Sequence, residues 1–117
     1  MNLKAPDVNW MNEFNGAITV CDTAGIIVYM NRHSVQQFEK YGGEKLIGTN
    51  LLDCHPEPAK SRLKEMLVNP QENTYTTEKA GKKKIITQRP WMVNGQFAGV
   101  VELSFDLPFD MVHHKRD

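Results

Sequence analysis

The sequence predicts an α+β domain built in the order two strands, several short helices and three strands. Three observations carry that expectation. Residues 17–21 and 26–30 are β-rich runs on either side of Asp22-Thr23-Ala24-Gly25, a tight turn in which Asp and Thr bond their own backbone and Gly tolerates positive φ. A helical pattern follows, with Val35, Phe38 and Tyr41 recurring every three positions behind Ser34, which can cap it. Near the other end, Asn94-Gly95 is a strong hairpin signal, because a type I′ turn needs positive φ at both central residues.

The elements follow in chain order. Residues 6–14 suit a short amphipathic helix with Val8, Trp10 and Met11 as apolar contacts. Asn31 ends the second strand, and Gly42-Gly43 breaks the chain after the first helical stretch. A short turn then carries Leu46 and Ile47. Beyond His55, a longer helix begins with Pro56 or Pro58 in its first turn, where a missing N–H does no harm. Ala59, Leu63, Met66 and Leu67 share its apolar face, and Asn69-Pro70 stops it. Residues 74–79 form a third strand, Ala80-Gly81 turns, and residues 85–92 and 97–105 form the last two.

Counting outward from a Val93–Gln96 pair puts Ile86, Gln88, Met92, Phe97, Gly99, Val101, Leu103 and Phe105 on one face, the better core. Ile85, Thr87, Arg89, Trp91, Ala98, Val100, Glu102 and Ser104 fall on the other. In that register Arg89 and Glu102 form a diagonal outer ion pair worth ~0.2–1 kcal/mol. Gln88 is the polar member of the core set, and a buried amide needs partners, with a backbone contact the expected one.

The segment from Ile18 to the Glu44-Lys45-Leu46-Ile47-Gly48 motif resembles the opening of a PAS domain, where such a hairpin is followed by an Asn and short helices ending in Leu-Ile-Gly. The residues from Gly99 to Asp106 resemble the closing PAS strand. The resemblance implies a PAS fold: a five-stranded antiparallel sheet with short helices packed on one face. It divides the chain into an N-terminal helical cap (1–16), the PAS domain (17–107) and a C-terminal tail (108–117). Where the family's usual closing motif is Asp-Ile-Thr, this chain has Asp106-Leu107-Pro108, and Pro108 interrupts any helix leaving the sheet directly.

The resemblance also implies a sensory module that holds a small, hydrophobic or mixed molecule in its core and reports it through pairing. The candidate cavity residues are Phe38, Cys54, His55, Leu63, Met66, Ile86, Gln88, Val101 and Leu103. The outer sheet face, with Ile85, Trp91, Ala98, Val100 and Trp10 of the cap, is the expected homodimer or partner surface. The alternative is an interaction-only module with a filled core. A haem-based gas or redox sensor is a further reading, but the helix positions that supply the axial His in such proteins hold Lys60, Ser61 and Arg62 here. His55 or Cys54 could ligate only a shifted haem. Flavin photochemistry fits worse, since Gly48-Thr49-Asn50-Leu51-Leu52 has Leu51 where photosensory relatives carry the reactive cysteine.

Other chemistry finds little support. Asp53-Cys54-His55 are consecutive, so their side chains diverge and cannot form a catalytic triad. No enzyme is expected. His33, His55 and the adjacent His113-His114 show no metal-ligand spacing, so no metal is assigned. His55 reads as a helix cap that accepts a backbone N–H, with Pro56 setting the entry angle, in preference to a ligand contact.

Fourteen basic and fourteen acidic residues cancel, which gives no bulk field for nucleic acid or anionic lipid. The Lys82-Lys83-Lys84 run reads as a solvated hairpin tip. No apolar stretch approaches the ~20 residues of a membrane span, and the N-terminus lacks the apolar core of a signal peptide. Two cysteines, Cys21 and Cys54, fit a reduced, cytoplasmic setting.

Overall fold

In a computed structural model, which describes residues 9–117, the chain forms one five-stranded antiparallel sheet with short helices against its concave face. The strands are β1 (Ala17–Asp22), β2 (Ile27–Met30), β3 (Asn73–Lys79), β4 (Lys82–Val93) and β5 (Gln96–Leu107). Their order across the sheet is β2-β1-β5-β4-β3, so the first hairpin lies beside the last strand. The helices are α1 (Trp10–Glu13), α2 (Arg32–Gln37) and α3 (Ala59–Val68), with three single turns of 3-10 helix between α2 and α3. Of the helix expected over residues 6–14, the first part, including Val8, lies outside the described residues.

The local causes are visible in the side chains. Asp22 Oδ1 accepts the N–H groups of Ala24 and Ile26, both at 2.9 Å, which closes the β1–β2 turn. Ala80 and Asn94 both have positive φ, each followed by a glycine, as two-residue hairpin turns demand. The cap of α2 is Asn31, not Ser34: Asn31 Oδ1 accepts the Ser34 and Ile18 N–H groups at 2.9 Å. Its Nδ2 donates to the Met11 and Gly16 carbonyls, so one fully buried amide ties the α1 segment, β1 and α2 together. Ser34 is buried and shares a hydrogen bond with Thr19 on the concave face. The three-residue spacing of Val35, Phe38 and Tyr41 belongs to a helix that tightens into 3-10 geometry, which leaves Tyr41 exposed.

Between sheet and helices, Cys21, Ile27, Met30, Leu51, Leu63, Met66 and Val100 form the buried core. Leu63 and Met66 of α3 supply the apolar face that their spacing predicts. The register of the last hairpin departs from a simple count. Val93 pairs with Gln96 and Met92 with Phe97, but Trp91 pairs with Gly99, so Ala98 is an extra residue in β5. From there onward every β5 side chain changes face. Val100, Glu102 and Ser104 turn inward beside Ile86 and Gln88, while Val101, Leu103 and Phe105 turn outward. Gly99 is the physical reason: a Cβ there would stand 1.9 Å from the Cys21 carbonyl oxygen of β1.

Candidate functional site

The register shift determines what the concave face contains. Glu102, expected on the outer face, is 8% exposed, and Gln88 is 3% exposed. Gln88 Nε2 donates to Glu102 Oε1 at 2.9 Å, and Asn73 Nδ2 donates to Gln88 Oε1 at 3.0 Å. The Gln88 partners are therefore side chains from β3 and β5 and not the backbone. His55 Nε2 lies 3.8 Å from Glu102 Oε1, an ion-pair distance too long for a hydrogen bond. The result is a continuous polar chain, His55–Glu102–Gln88–Asn73, across the inside of the sheet. The outer Arg89–Glu102 pair does not exist; Arg89 NH1 instead meets Glu72 Oε1 at 3.0 Å.

His55 follows the last 3-10 turn, and its Nδ1 lies 2.9 Å from the Leu51 carbonyl oxygen. A carbonyl only accepts, so Nδ1 carries the hydrogen. His55 therefore donates to the turn before it and does not accept a helix N–H. The first turn of α3 is held instead by Glu57, whose Oε1 accepts the Ser61 N–H at 2.7 Å. The neighbouring Glu102 carboxylate raises the His55 pKa above its ordinary 6.5, against the opposing effect of burial, and the Leu51 carbonyl adds to the rise. Burial, followed by the Glu102 charge, pushes the Tyr75 phenol up.

The remaining predicted residues divide into three groups. Phe38 and Cys54 line an internal void of about 10 Å³ with Thr19, Ile27, Met30, Leu46 and Leu51, about the space of one water. Leu63, Met66 and Ile86 are buried, the first two with no exposure at all. Val101 and Leu103 lie on the outer face, half-buried, so they belong with the partner-surface candidates and not with the cavity. Val100 moves the opposite way, into the core at 1% exposure, and Ala98 sits at the bulge. Ile85 and Trp91 are outward-facing as expected, and Trp91 Nε1 donates to the Cys21 carbonyl at 3.0 Å over Gly99. Trp10 packs edge-on against Phe14, which in turn meets Phe105.

One open space beside this network is at the sheet edge. A cleft of about 310 Å³ runs between α3 and the β3–β4 strands, lined by Pro58, Ala59, Arg62, Asn73, Tyr75 and Gln88. Gln88 thus belongs both to the buried polar chain and to the cleft wall. Sequence reasoning missed Glu102, Asn73, Tyr75 and Arg62. Gly99, a glycine inside a strand pattern, is the sequence signal that points to a bulge, and through it to Glu102. Haem does not fit this arrangement. The void beside Cys54 is water-sized, both His55 nitrogens face oxygen partners, and burial holds the Cys54 thiol above its ordinary pKa.

No protein-family model matches the chain, and no curated protein matches it. Solved structures do, and the class they define is the PAS fold. The PAS domain of the histidine kinase ThkA superposes with a TM-score of 0.61 at 20% identity, covering 78% of this chain and 98% of that one. The Vibrio cholerae Aer2 receptor, described as a dual PAS-heme oxygen sensor, gives 0.58 at 19% identity, covering 80% and 95%. The sensor region of a sensor histidine kinase gives 0.58 at 18% identity over 77% of this chain, which spans 38% of that longer one. The five-stranded antiparallel sheet with its few short helices is thus a PAS-fold domain. Among the described residues, no helix is long and apolar enough to cross a membrane.

Proposed function

We propose that this chain is a sensory signalling module that binds a small molecule at the α3 cleft and reports it through association of its outer sheet face. One observation carries the reading. The buried polar chain from His55 to Asn73 reaches the cleft through Gln88, so a ligand there touches a network built into the sheet. A binding role suits these groups better than catalysis, because the His55 nitrogens and the Gln88 amide already face structural partners. The cleft wall is polar at Gln88, Asn73 and Arg62 and apolar at Pro58 and Ala59, which favours a ligand of mixed character over a purely hydrophobic one. Native mass spectrometry of the purified protein, followed by thermal-shift screening of metabolites, tests this. A retained small molecule or a saturable shift that Gln88→Leu weakens supports the reading; a protein with neither refutes it.

A second reading keeps the association and drops the ligand. The void of about 10 Å³ inside the core favours it, since nothing larger than water fits there. The outer face offers the surface: Val20, Tyr29, Ile85, Val101, Leu103 and Phe105 are all half-buried, and the Tyr29 hydroxyl is buried without a partner among the described residues. Sedimentation separates the two readings, because an interaction-only module associates independently of any added compound.

A further inference from the structure

The alternation of β4 divides the Lys82-Lys83-Lys84 run between two faces. Lys82 and Lys84 step onto the concave side with Ile86, and Lys83 points outward. The register then sorts the charges of the β3–β4 hairpin. Outside, Lys83 stands opposite Glu78, a complementary pair. Inside, Lys82 stands opposite Lys79, and Lys84 follows two residues on. Like charges directly opposite one another destabilise a sheet. Among the described residues, no carboxylate comes within ion-pair distance of Lys79, Lys82 or Lys84.

Lys84 is half-buried and held from the side of the helices. Asp106 is its neighbour in the β4–β5 ladder, yet Lys84 Nζ donates to Gln37 Oε1 of α2 at 3.3 Å. The same oxygen accepts the hydroxyl of Ser104, a 4% exposed residue, at 3.3 Å. The three lysines line an open cleft of about 380 Å³ together with His33 of α2, Thr77 of β3 and Asp106. A smaller hollow of about 140 Å³ shares His33, Lys84 and Asp106 with it and continues to Gln37 and Ser104.

We propose that this cleft is a further binding site, for a small phosphomonoester that carries free hydroxyl groups, such as a phosphorylated polyol or sugar. Three lysines against one aspartate leave its wall two positive charges, which match the charge of about −1.5 to −2 on a phosphomonoester at neutral pH. Compact ammonium groups bind phosphate oxygens as point charges, and the Thr77 hydroxyl adds a neutral donor. Asp106 repels a second anionic group and accepts a ligand hydroxyl in its place. The described residues lining the larger cleft include no aromatic ring, so it offers no stacking platform for a nucleobase. Charge cancels over the whole chain, so attraction of an anion to this end comes from the local grouping. The site shares no lining residue with the α3 cleft and is independent of the ligand proposed there.

The test titrates the full chain at constant ionic strength with glycerol 3-phosphate, glycerol, inorganic phosphate or acetate. NMR follows the backbone amides of residues 77–84 and the Gln37 side-chain amide. Saturable shifts at these groups are expected with glycerol 3-phosphate, weaker binding with inorganic phosphate, and none with glycerol or acetate. Lys79→Gln and Lys82→Gln each weaken the binding about tenfold. Lys83→Gln removes the same charge from the outer face and leaves it unchanged. Both inward variants melt no lower than the wild type, because each relieves a like-charge opposition, so lost binding is not lost folding. Equal weakening by Lys83→Gln, an affinity for inorganic phosphate equal to that for the ester, or no saturable shift with glycerol 3-phosphate overturns the proposal.

Discussion

Gly99→Ala is the sharpest perturbation available, because it strikes the contact that sets the register of the sheet. Gly99 has φ +144°, outside the range L side chains favour, and its Cβ would lie 1.9 Å from the Cys21 oxygen and 2.8 Å from the Cys21 carbonyl carbon. Relief requires β1 and β5 to part by at least about 1 Å, since real Cβ contacts essentially never fall below 3.0 Å. The backbone strain costs ~1–3 kcal/mol. The Trp91 bond to the Cys21 carbonyl and the adjoining ladder bond add ~0.5–1.5 kcal/mol each. The total is about 2–6 kcal/mol, or roughly 8–24 °C in Tm for a domain of this size. Gly95→Ala is the control: φ there is +79° and nothing lies within 4 Å, so only about 1 kcal/mol of strain applies. Thermal and urea denaturation followed by far-UV circular dichroism give both numbers. A Gly99→Ala melting point within about 3 °C of Gly95→Ala refutes the reasoning.

The same measurements check the other consequences. Leu63→Ala, at a fully buried α3 position, is expected to cost about 2–5 kcal/mol by urea titration. Asn31→Ala, which orphans two buried N–H groups and two carbonyls, is expected to cost about 2–4 kcal/mol and to leave the α1 segment more open to hydrogen exchange. His55 has a folded-state pKa above 6.5, so its stabilisation is complete below that value and is lost as pH rises through the folded pKa. The urea midpoint should therefore fall as pH rises above about 6.5 and through the folded-state pKa in the wild type, and this component should vanish in Glu102→Gln. Leu103→Glu on the outer face should abolish the proposed self-association in sedimentation with the fold intact, whereas Val100→Glu, a charge forced into the core, should unfold the chain at a cost of about 3–5 kcal/mol.

Much of the architecture was legible because local chemistry and tertiary packing agree. Asp22 to Gly25, Ala80-Gly81 and Asn94-Gly95 each turn where their residue types require, and Leu63 and Met66 bury the α3 face their spacing marks. The failures occur where a distant partner decides. The α2 cap at Asn31 was open to a local reading, through Ser34 three residues on, but its ties to Met11, Gly16 and Ile18, all more than ten residues away, were not. The β5 faces were misassigned for the same reason. A count from the hairpin turn is sound for Met92 and Phe97 and fails at Ala98, and what forces the bulge is the β1 carbonyl pressed against Gly99. Nothing local to β5 contains that carbonyl.

That single extra residue also creates the candidate site. In an unbulged strand, Val101 and Leu103 would face the helices, the concave wall would be apolar, and Glu102 would sit in water beside Arg89. The bulge exchanges these sets. It puts a carboxylate within 2.9 Å of Gln88 and 3.8 Å of His55, and gives the outer face the apolar side chains that an associating surface needs. The interior charge and the outer apolar face therefore share one structural cause, the contact between Gly99 and Cys21. A substitution that relaxes it is expected to disturb both together. Loss of the His55 pH dependence and loss of the proposed self-association should accordingly appear in the same Gly99 variant, while Gly95→Ala is expected to leave both unchanged.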